Sequence, residues 1–226
     1  MLQALFMRMP VGTLPALCLS LLATALLAGA CSRGERRPES RMERRSSVPA
    51  SPRVVAFGQP VPKGGGIYKV GEPYEIDGQW HTPREDPAYH RTGIASYYGT
   101  AFHGRRTSNG EIFDMGALSA AHPTLPLPSY VYVTSLENGR TLLLRVNDRG
   151  PYANSRIIDL SQAAARALGF ERQGTVEVRV RYAGRAPLSG DDSRERHFLA
   201  AQSWSRLAAF AAPGRQPVDF AGLPTR

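Results

Sequence analysis

The chain has 226 residues and a formal net charge of +9, from 28 Lys and Arg against 19 Asp and Glu. That length holds one ordinary domain plus appendages, because a domain takes about 100–200 residues, and it excludes a second full core. The positive balance suits an anionic partner, whether nucleic acid, a membrane surface or an acidic polysaccharide, without choosing among them. Much of the charge sits in one run, Arg33, Arg36, Arg37, Arg41, Arg44, Arg45 and Arg53, which reads as a solvated basic tether.

The chain opens on an export signal. Arg8 supplies the positive start, Leu14 to Leu27 the apolar run, and Ala28-Gly29-Ala30 the small residues before a cut. Residues 1–30 are therefore set apart from the fold, with a retained transmembrane anchor as the alternative. Leu27-Ala28-Gly29-Ala30-Cys31 resembles a bacterial lipobox, with its leucine one place earlier than usual. On that resemblance Cys31 becomes a lipidated mature N-terminus, and Cys18 leaves with the signal. No disulfide then remains, so stability must come from packing. Acyl chains at Cys31 anchor the protein to a membrane, and Ser32 after the cysteine points to the outer membrane. An exported location leaves nucleic acid out as a partner.

Residues 31–66 are Arg, Glu, Ser, Pro and Gly with few bulky apolar groups, a composition that cannot offset the entropy of ordering, and they are expected to be a disordered tether. Ile67 to Trp80 shows short β-like alternation broken by Gly and Pro, a hairpin-like lead-in. Gly93 to Gly99 reads as a first buried strand. Tyr130 to Leu136 and Arg140 to Val146 flank Asn138-Gly139, whose tolerance of positive φ predicts a hairpin. Ser161 to Gly169 predicts a short helix, capped by Ser161 and closed by Gly169. Val176, Val178 and Val180 alternate with Glu177, Arg179 and Arg181 in a half-buried closing strand. One short helix among many strands argues for a mainly β barrel over residues 67–184, with its core at 92–184. Residues 185–226 return to Pro, Gly and charge as a low-complexity tail, with one amphipathic helix possible around Arg196 to Ala212.

Two clusters carry the candidate chemistry: Arg106-Thr-Ser-Asn-Gly-Glu111 and Asn147-Asp-Arg-Gly-Pro151. Each sets a carboxylate beside residues that bend the backbone, which places the acid on a loop of a rigid scaffold, where functional residues concentrate. Between and after them lie Ala120-Ala-His122 and Arg156-Ile-Ile-Asp-Leu-Ser161. Glycosidic bond cleavage needs an acid for the leaving oxygen and a second group for the charge developing on the sugar, and Glu111, His122, Asp148 and Asp159 supply candidates for both. Other readings stand beside these. Asp148 can serve an Asx-type turn, and Asp159 can brace the helix start or pair with Arg156. The five histidines have no zinc-like spacing, and neither a phosphate-binding glycine loop nor a nucleophile elbow is present, so neither metal nor cofactor is expected.

Gly93-Ile-Ala-Ser-Tyr-Tyr-Gly99, Phe102-His-Gly104, Thr107-Ser-Asn-Gly-Glu111, Ala120-Ala-His122, Leu125-Pro126, Asn147-Asp-Arg-Gly-Pro151 and Arg156-Ile-Ile-Asp-Leu-Ser161 occur in the order of the rare lipoprotein A family, which the chain closely resembles over residues 67–184, Tyr68-Lys-Val-Gly71 included. The resemblance implies a six-stranded double-psi β-barrel, shared with expansins. It implies an endolytic lytic transglycosylase that cleaves the MurNAc–GlcNAc linkage of peptidoglycan strands lacking stem peptides, leaving 1,6-anhydroMurNAc ends. Carried over by motif, Glu111, His122 and Asp148 are the catalytic residues, Asp148 the principal acid/base and Glu111 its partner at the oxocarbenium-like centre. In related double-psi barrels the acid resembles the aspartate of an Asp-Leu pair, which here is Asp159. Tyr97, Tyr98 and Phe102 are candidates to stack on sugar rings, and Asn109, Asn147 and Arg149 to bind substrate. Many family members carry a C-terminal SPOR domain, and residues 185–226 are too few for one. The rival expectations are an expansin-like binder that cleaves nothing and a lipoprotein that positions other envelope enzymes.

Overall fold

The structure, a computed structural model, describes residues 51–205 apart from Asp77 and Asn154. The segment expected to be an export signal, Cys31 and most of the basic run lie outside the described residues. Eight strands occur in chain order: β1 (Tyr74–Ile76), β2 (Gln79–His81), β3 (His90–Tyr97), β4 (Ser119–Ala121), β5 (Ser129–Ser135), β6 (Thr141–Asp148), β7 (Arg156–Leu160) and β8 (Val176–Arg185). Two helices accompany them, α1 (Gln162–Leu168) and α2 (Ser193–Ala201). β1 and β2 form the lead-in hairpin, and the other six close a barrel in the order β3-β7-β4-β6-β5-β8. Two of its pairings are parallel, β3 with β7 and β4 with β6, and the rest are antiparallel. This is the double-psi barrel expected from the sequence.

Alternation builds the barrel. Val176, Val178 and Val180 of β8 are buried while Glu177, Arg179 and Arg181 are exposed, and Val131, Val133, Leu142, Leu144, Val146, Ile158 and Leu160 join the same interior cluster. Each fully buried aliphatic side chain contributes about 1.5–3 kcal/mol, enough for the barrel to hold without disulfides. The β5–β6 hairpin turns at Asn138-Gly139, where Gly139 has φ of 70° and the Asn138 side chain accepts the Arg140 amide at 3.0 Å. Ser161 caps α1 by accepting the Ala164 amide at 3.2 Å, and Gly169 closes the helix in a left-handed conformation.

The outer wall of β6 positions the site. Leu143 faces outward and packs with Tyr130 and Ala186 in a second cluster that Phe198 of α2 joins. Arg145 and Asn147 continue this outward row. The C-terminal segment is thus partly folded onto the barrel: α2 begins earlier than the sequence suggested, at Ser193, and buries Glu195 in its first turn.

Residues 51–66, read from composition as tether, also lie on the barrel. Val54 and Val55 donate their amides to the Gly104 carbonyl at 2.8 and 3.1 Å, Arg53 donates to the His103 and Ala101 carbonyls at 2.5 and 2.9 Å, and Phe57 stacks on His103. Composition counts apolar burial and misses segments held by backbone pairing and one arginine fork. Further on, Lys69 pairs with Leu127 through both backbone hydrogen bonds, at 2.7 and 2.8 Å, which stitches the lead-in to the loop before β5.

Candidate functional site

Glu111 is 5% exposed and every side of its carboxylate is occupied. Arg145 donates from Nε to Oε2 at 3.0 Å and from Nη2 to Oε1 at 2.6 Å, a bidentate pair. Asn147 donates to Oε2 and Asn109 to Oε1, each at 2.9 Å. Burial raises the Glu111 pKa, but the bonds from Arg145, Asn147 and Asn109 outweigh it and hold the carboxyl below its ordinary value. Gly66 lies against this cluster: a Cβ there would stand 2.7 Å from Asn109 Nδ2 and 2.8 Å from Glu111 Cγ. Only glycine lets the chain cross so closely. Glu111 therefore ties the 105–111 loop to the end of β6.

Asp148 ends β6 and has a different environment. Its Oδ1 accepts three hydrogen bonds, from the Ser108 amide at 2.8 Å, the Ser108 hydroxyl at 2.6 Å and the Arg149 amide at 2.8 Å. No described residue donates to Oδ2, and no cation pairs with the group. Burial raises the Asp148 pKa against the lowering effect of those three donors. One oxygen is locked and the other is open, the geometry of a carboxyl that can carry and release a proton in a defined direction.

Asp159 lies two strands away in the same row. Ala121 of β4 is in register with Asp148 of β6 on one side and Asp159 of β7 on the other. Strands lie about 4.8 Å apart, which sets the two aspartates' backbones about 10 Å apart. A register shift between Ala120 and Ala121 lets Asp148 join the row. Ser96 of β3 donates to Asp159 Oδ1 at 2.6 Å and Arg156 Nη2 to Oδ2 at 3.2 Å. Arg156 Nε also stands 3.0 Å from Oδ1, but it makes no hydrogen bond, so that contact is an electrostatic one. Burial raises the Asp159 pKa despite Arg156 and Ser96. The Tyr98 hydroxyl is buried without a hydrogen-bond partner among the described residues. Burial, then Asp148, then Asp159 push its pKa up and keep it a neutral phenol. A Cβ on Gly150 would sit 3.8 Å from Ala121 Cβ and 3.9 Å from that hydroxyl, so Tyr98 overhangs the row between the aspartates.

His122 and Arg149 are both bonded to nearby backbone. The His122 Nδ1 accepts the Thr124 and Leu125 amides at 3.1 and 3.0 Å, so the ring proton is on Nε2 and points to the Tyr89 hydroxyl, 2.8 Å away. Burial and then the Arg149 charge lower its pKa to about 3. The ring is neutral at any working pH and holds the turn after β4. Arg149 donates to the carbonyls of Leu125 at 2.6 Å, His122 at 3.3 Å and Val70.

Residues 90–180 match the family model described as lytic transglycolase, a double-psi β-barrel. The match runs from the start of β3 into β8. Over 122 residues the chain is 50% identical to the endolytic peptidoglycan transglycosylase RlpA of Pseudomonas aeruginosa, covering 54% of this chain and 35% of that protein. It is 54% identical over 108 residues to the RlpA of Neisseria meningitidis, 47% of this chain and 45% of that one. With the RlpA of Rickettsia felis it shares 47% over 120 residues, 52% of this chain and 53% of that one. The chain thus spans about half or less of the curated relatives it matches.

Within the barrel the residues named from sequence separate into groups. Asp148, Asp159 and Tyr98 share one row, and Glu111 joins them only through Asn147 and the Ser108–Asn109 loop. Asn109 and Asn147, expected to bind substrate, both spend their amide groups on Glu111, and Arg149 spends its guanidinium on carbonyls. Tyr97 donates its hydroxyl to the Glu171 carbonyl at 3.1 Å and sets its ring edge against Phe170, while Phe102 packs against Tyr98. Sequence reasoning passed over Ser108, though it lies inside the Thr107–Glu111 motif, and Arg145. The one sign of Arg145 was a charge in an otherwise apolar strand, at the same parity as Asn147. Among the described residues no group of His, Cys, Asp and Glu could hold a metal ion.

Proposed function

We propose that this barrel is an endolytic peptidoglycan lytic transglycosylase, with Asp148 as its acid/base. The observation that carries the reading is the asymmetry of Asp148: three donors fix Oδ1, Oδ2 is open, and burial holds the pKa above the usual aspartate value. A raised pKa favours the protonated form, which a general acid needs. Protonated Oδ2 gives its proton to the bridging oxygen as the C1–O bond of the muramyl unit breaks. The carboxylate then takes the proton of that unit's own C6 hydroxyl while O6 bonds to C1, which closes a 1,6-anhydro ring without water and returns Asp148 to its starting state. Glu111 acts as a positioning residue, holding Ser108 where its two donors reach Asp148. Peptidoglycan strands lacking stem peptides are the substrate. The location is the cell envelope, on the periplasmic side, with lipid at Cys31 as the anchor and the outer membrane as its seat.

The test is mass analysis of products from denuded peptidoglycan, with Asp148→Asn and Asp159→Asn in parallel. Release of 1,6-anhydromuramic ends by the native protein and by Asp159→Asn, but not by Asp148→Asn, is the expected result. Loss in Asp159→Asn alone would move the acid to Asp159. The second reading is a binder that cleaves nothing, favoured by the ion pairing of Glu111 with Arg145 and of Asp159 with Arg156. Retained strand binding without anhydro products would establish it.

A further inference from the structure

A cavity of about 280 Å³ opens beside Asp148, between the lead-in segment and the barrel, and Lys69, Glu72, Tyr74, Ser108, Arg149 and Tyr152 line it. Ser108 and Arg149 are the residues whose donors fix Asp148, so the cavity is walled by the acid's own hydrogen-bond partners. Its far wall comes from residues 69–74, ahead of the 90–180 segment that the family model covers. That wall is held firmly. Lys69 pairs with Leu127 through its backbone, the Tyr74 hydroxyl donates to the Pro123 carbonyl at 2.8 Å, and Val70 accepts Arg149.

The free polar groups in the cavity indicate what it takes. Arg149 is spent on three carbonyls and the Tyr74 hydroxyl on one. Lys69 gives the Ser108 carbonyl a single 3.3 Å bond, which leaves most of its donor capacity open. Glu72 has neither hydrogen bond nor ion pair among the described residues, and the Tyr152 hydroxyl has no hydrogen-bond partner there. The available set is an ammonium, a carboxylate and a phenol, whose formal charges cancel. It matches a neutral ligand rich in both donors and acceptors better than an anion. Bonds from charged groups to hydroxyls are also stronger than neutral ones. The Tyr152 ring, set edge-on to Tyr74 with centroids 6.3 Å apart, adds an apolar side. Ligand sites of this kind join a few convergent polar groups to aromatic walls.

We propose that this cavity is a saccharide subsite, in which Lys69, Glu72 and the Tyr152 hydroxyl hold the ring substituents of the sugar next to the linkage that Asp148 acts on. The inference rests on the transglycosylase reading for the identity of the glycan. Under it the lead-in segment is part of the binding surface and supplies specificity from outside the barrel strands.

The experiment compares the full protein with Lys69→Gln, Glu72→Gln and the double variant on soluble denuded glycan strands, measuring strand affinity as well as release of anhydro ends. Both residues are exposed, so the variants fold; unchanged melting temperatures verify it. The double variant is expected to raise KM at least about tenfold with kcat within about twofold, a loss of binding shared by ground and transition states. Unchanged KM overturns the proposal. So does a fall in kcat at constant KM, which would assign Lys69 to holding the Ser108 loop. If the native protein releases no anhydro ends, the transglycosylase reading fails and affinity decides the subsite: weaker strand binding by the double variant supports it, and equal binding overturns it. A native protein that neither cleaves nor binds the strands overturns both.

Discussion

The Glu111 cluster and the Asp148 turn lie one residue apart along β6, and the same loop serves both, yet they handle a buried carboxylate in opposite ways. Around Glu111 two oxygens meet four donor groups, two of them from one bidentate arginine, and the carboxyl is held below its usual pKa. At Asp148 three donors converge on a single oxygen and burial holds the pKa above its usual value. The first arrangement leaves no lone pair for a ligand and strongly favours the charge, so it serves structure. The second keeps one face open and favours the proton, as the acid/base role proposed for it requires. Two acids of one motif set can therefore be divided by counting donors per oxygen, which is a finer criterion than burial.

The largest expected effect is on turnover. Asp148→Asn keeps the shape of the turn and removes the proton, and should lower the rate of anhydro product release by about 10²–10⁴-fold, the usual contribution of a positioned acid or base, with a melting temperature no lower than that of the native protein. A comparable loss from Glu111→Gln in protein that melts normally would erase the division drawn above. The next effect is on stability. Arg145→Met leaves Glu111 buried without its cation and should cost about 3–5 kcal/mol, read as a shift of the denaturant midpoint. A cost under about 1 kcal/mol would mean that the pair does not tie the loop to β6.

Tyr98→Phe follows with a smaller change of opposite sign. Its hydroxyl is buried with no hydrogen-bond partner among the described residues, and an unsatisfied buried group costs about 1–3 kcal/mol. Removing it should leave the protein as stable as before or about 1 kcal/mol more so in equilibrium unfolding. A clear loss of stability would show that the hydroxyl has a partner in solution, and the row from Asp148 to Asp159 would then contain an ordered water.

The barrel was legible because period-two alternation, Asn138-Gly139 and the Ser161 and Gly169 caps are local signals, and each acts where it stands in the chain. The site was legible only as a set of motifs. That Asp148 and Asp159 share a row depends on both pairing with Ala121, and that Glu111 is consumed depends on Arg145, 34 residues away and part of another strand. Such facts are set by register and barrel closure, which spacing along the chain does not encode. His122 illustrates the same limit. Its type suggested proton transfer, but two backbone amides and full burial make it a neutral brace. Residues 51–66 were misread for the converse reason, since their hold on the barrel comes from carbonyls of residues 101–104 that no composition argument can count.

The smallest effect is the most direct test of the difference between the two carboxylates, because it turns on sign. Glu111 titrates below its ordinary value of 4.5 in the folded chain, so it contributes stability that is present above that value and is lost as pH falls through the lowered one. Asp148 titrates above its ordinary 3.8, so its charged form opposes folding above the raised value, and that penalty is relieved as pH falls from there towards 3.8. Equilibrium unfolding across pH should therefore show Asp148→Asn more stable than the native protein near neutrality and Glu111→Gln less stable. Both gaps should close on acidification, the Asp148 gap as pH falls from its raised value to 3.8 and the Glu111 gap as pH falls from 4.5 through its lowered value. Gaps of the same sign would mean that the two carboxylates share one environment, and the assignment of chemistry to one and architecture to the other would lose its physical basis.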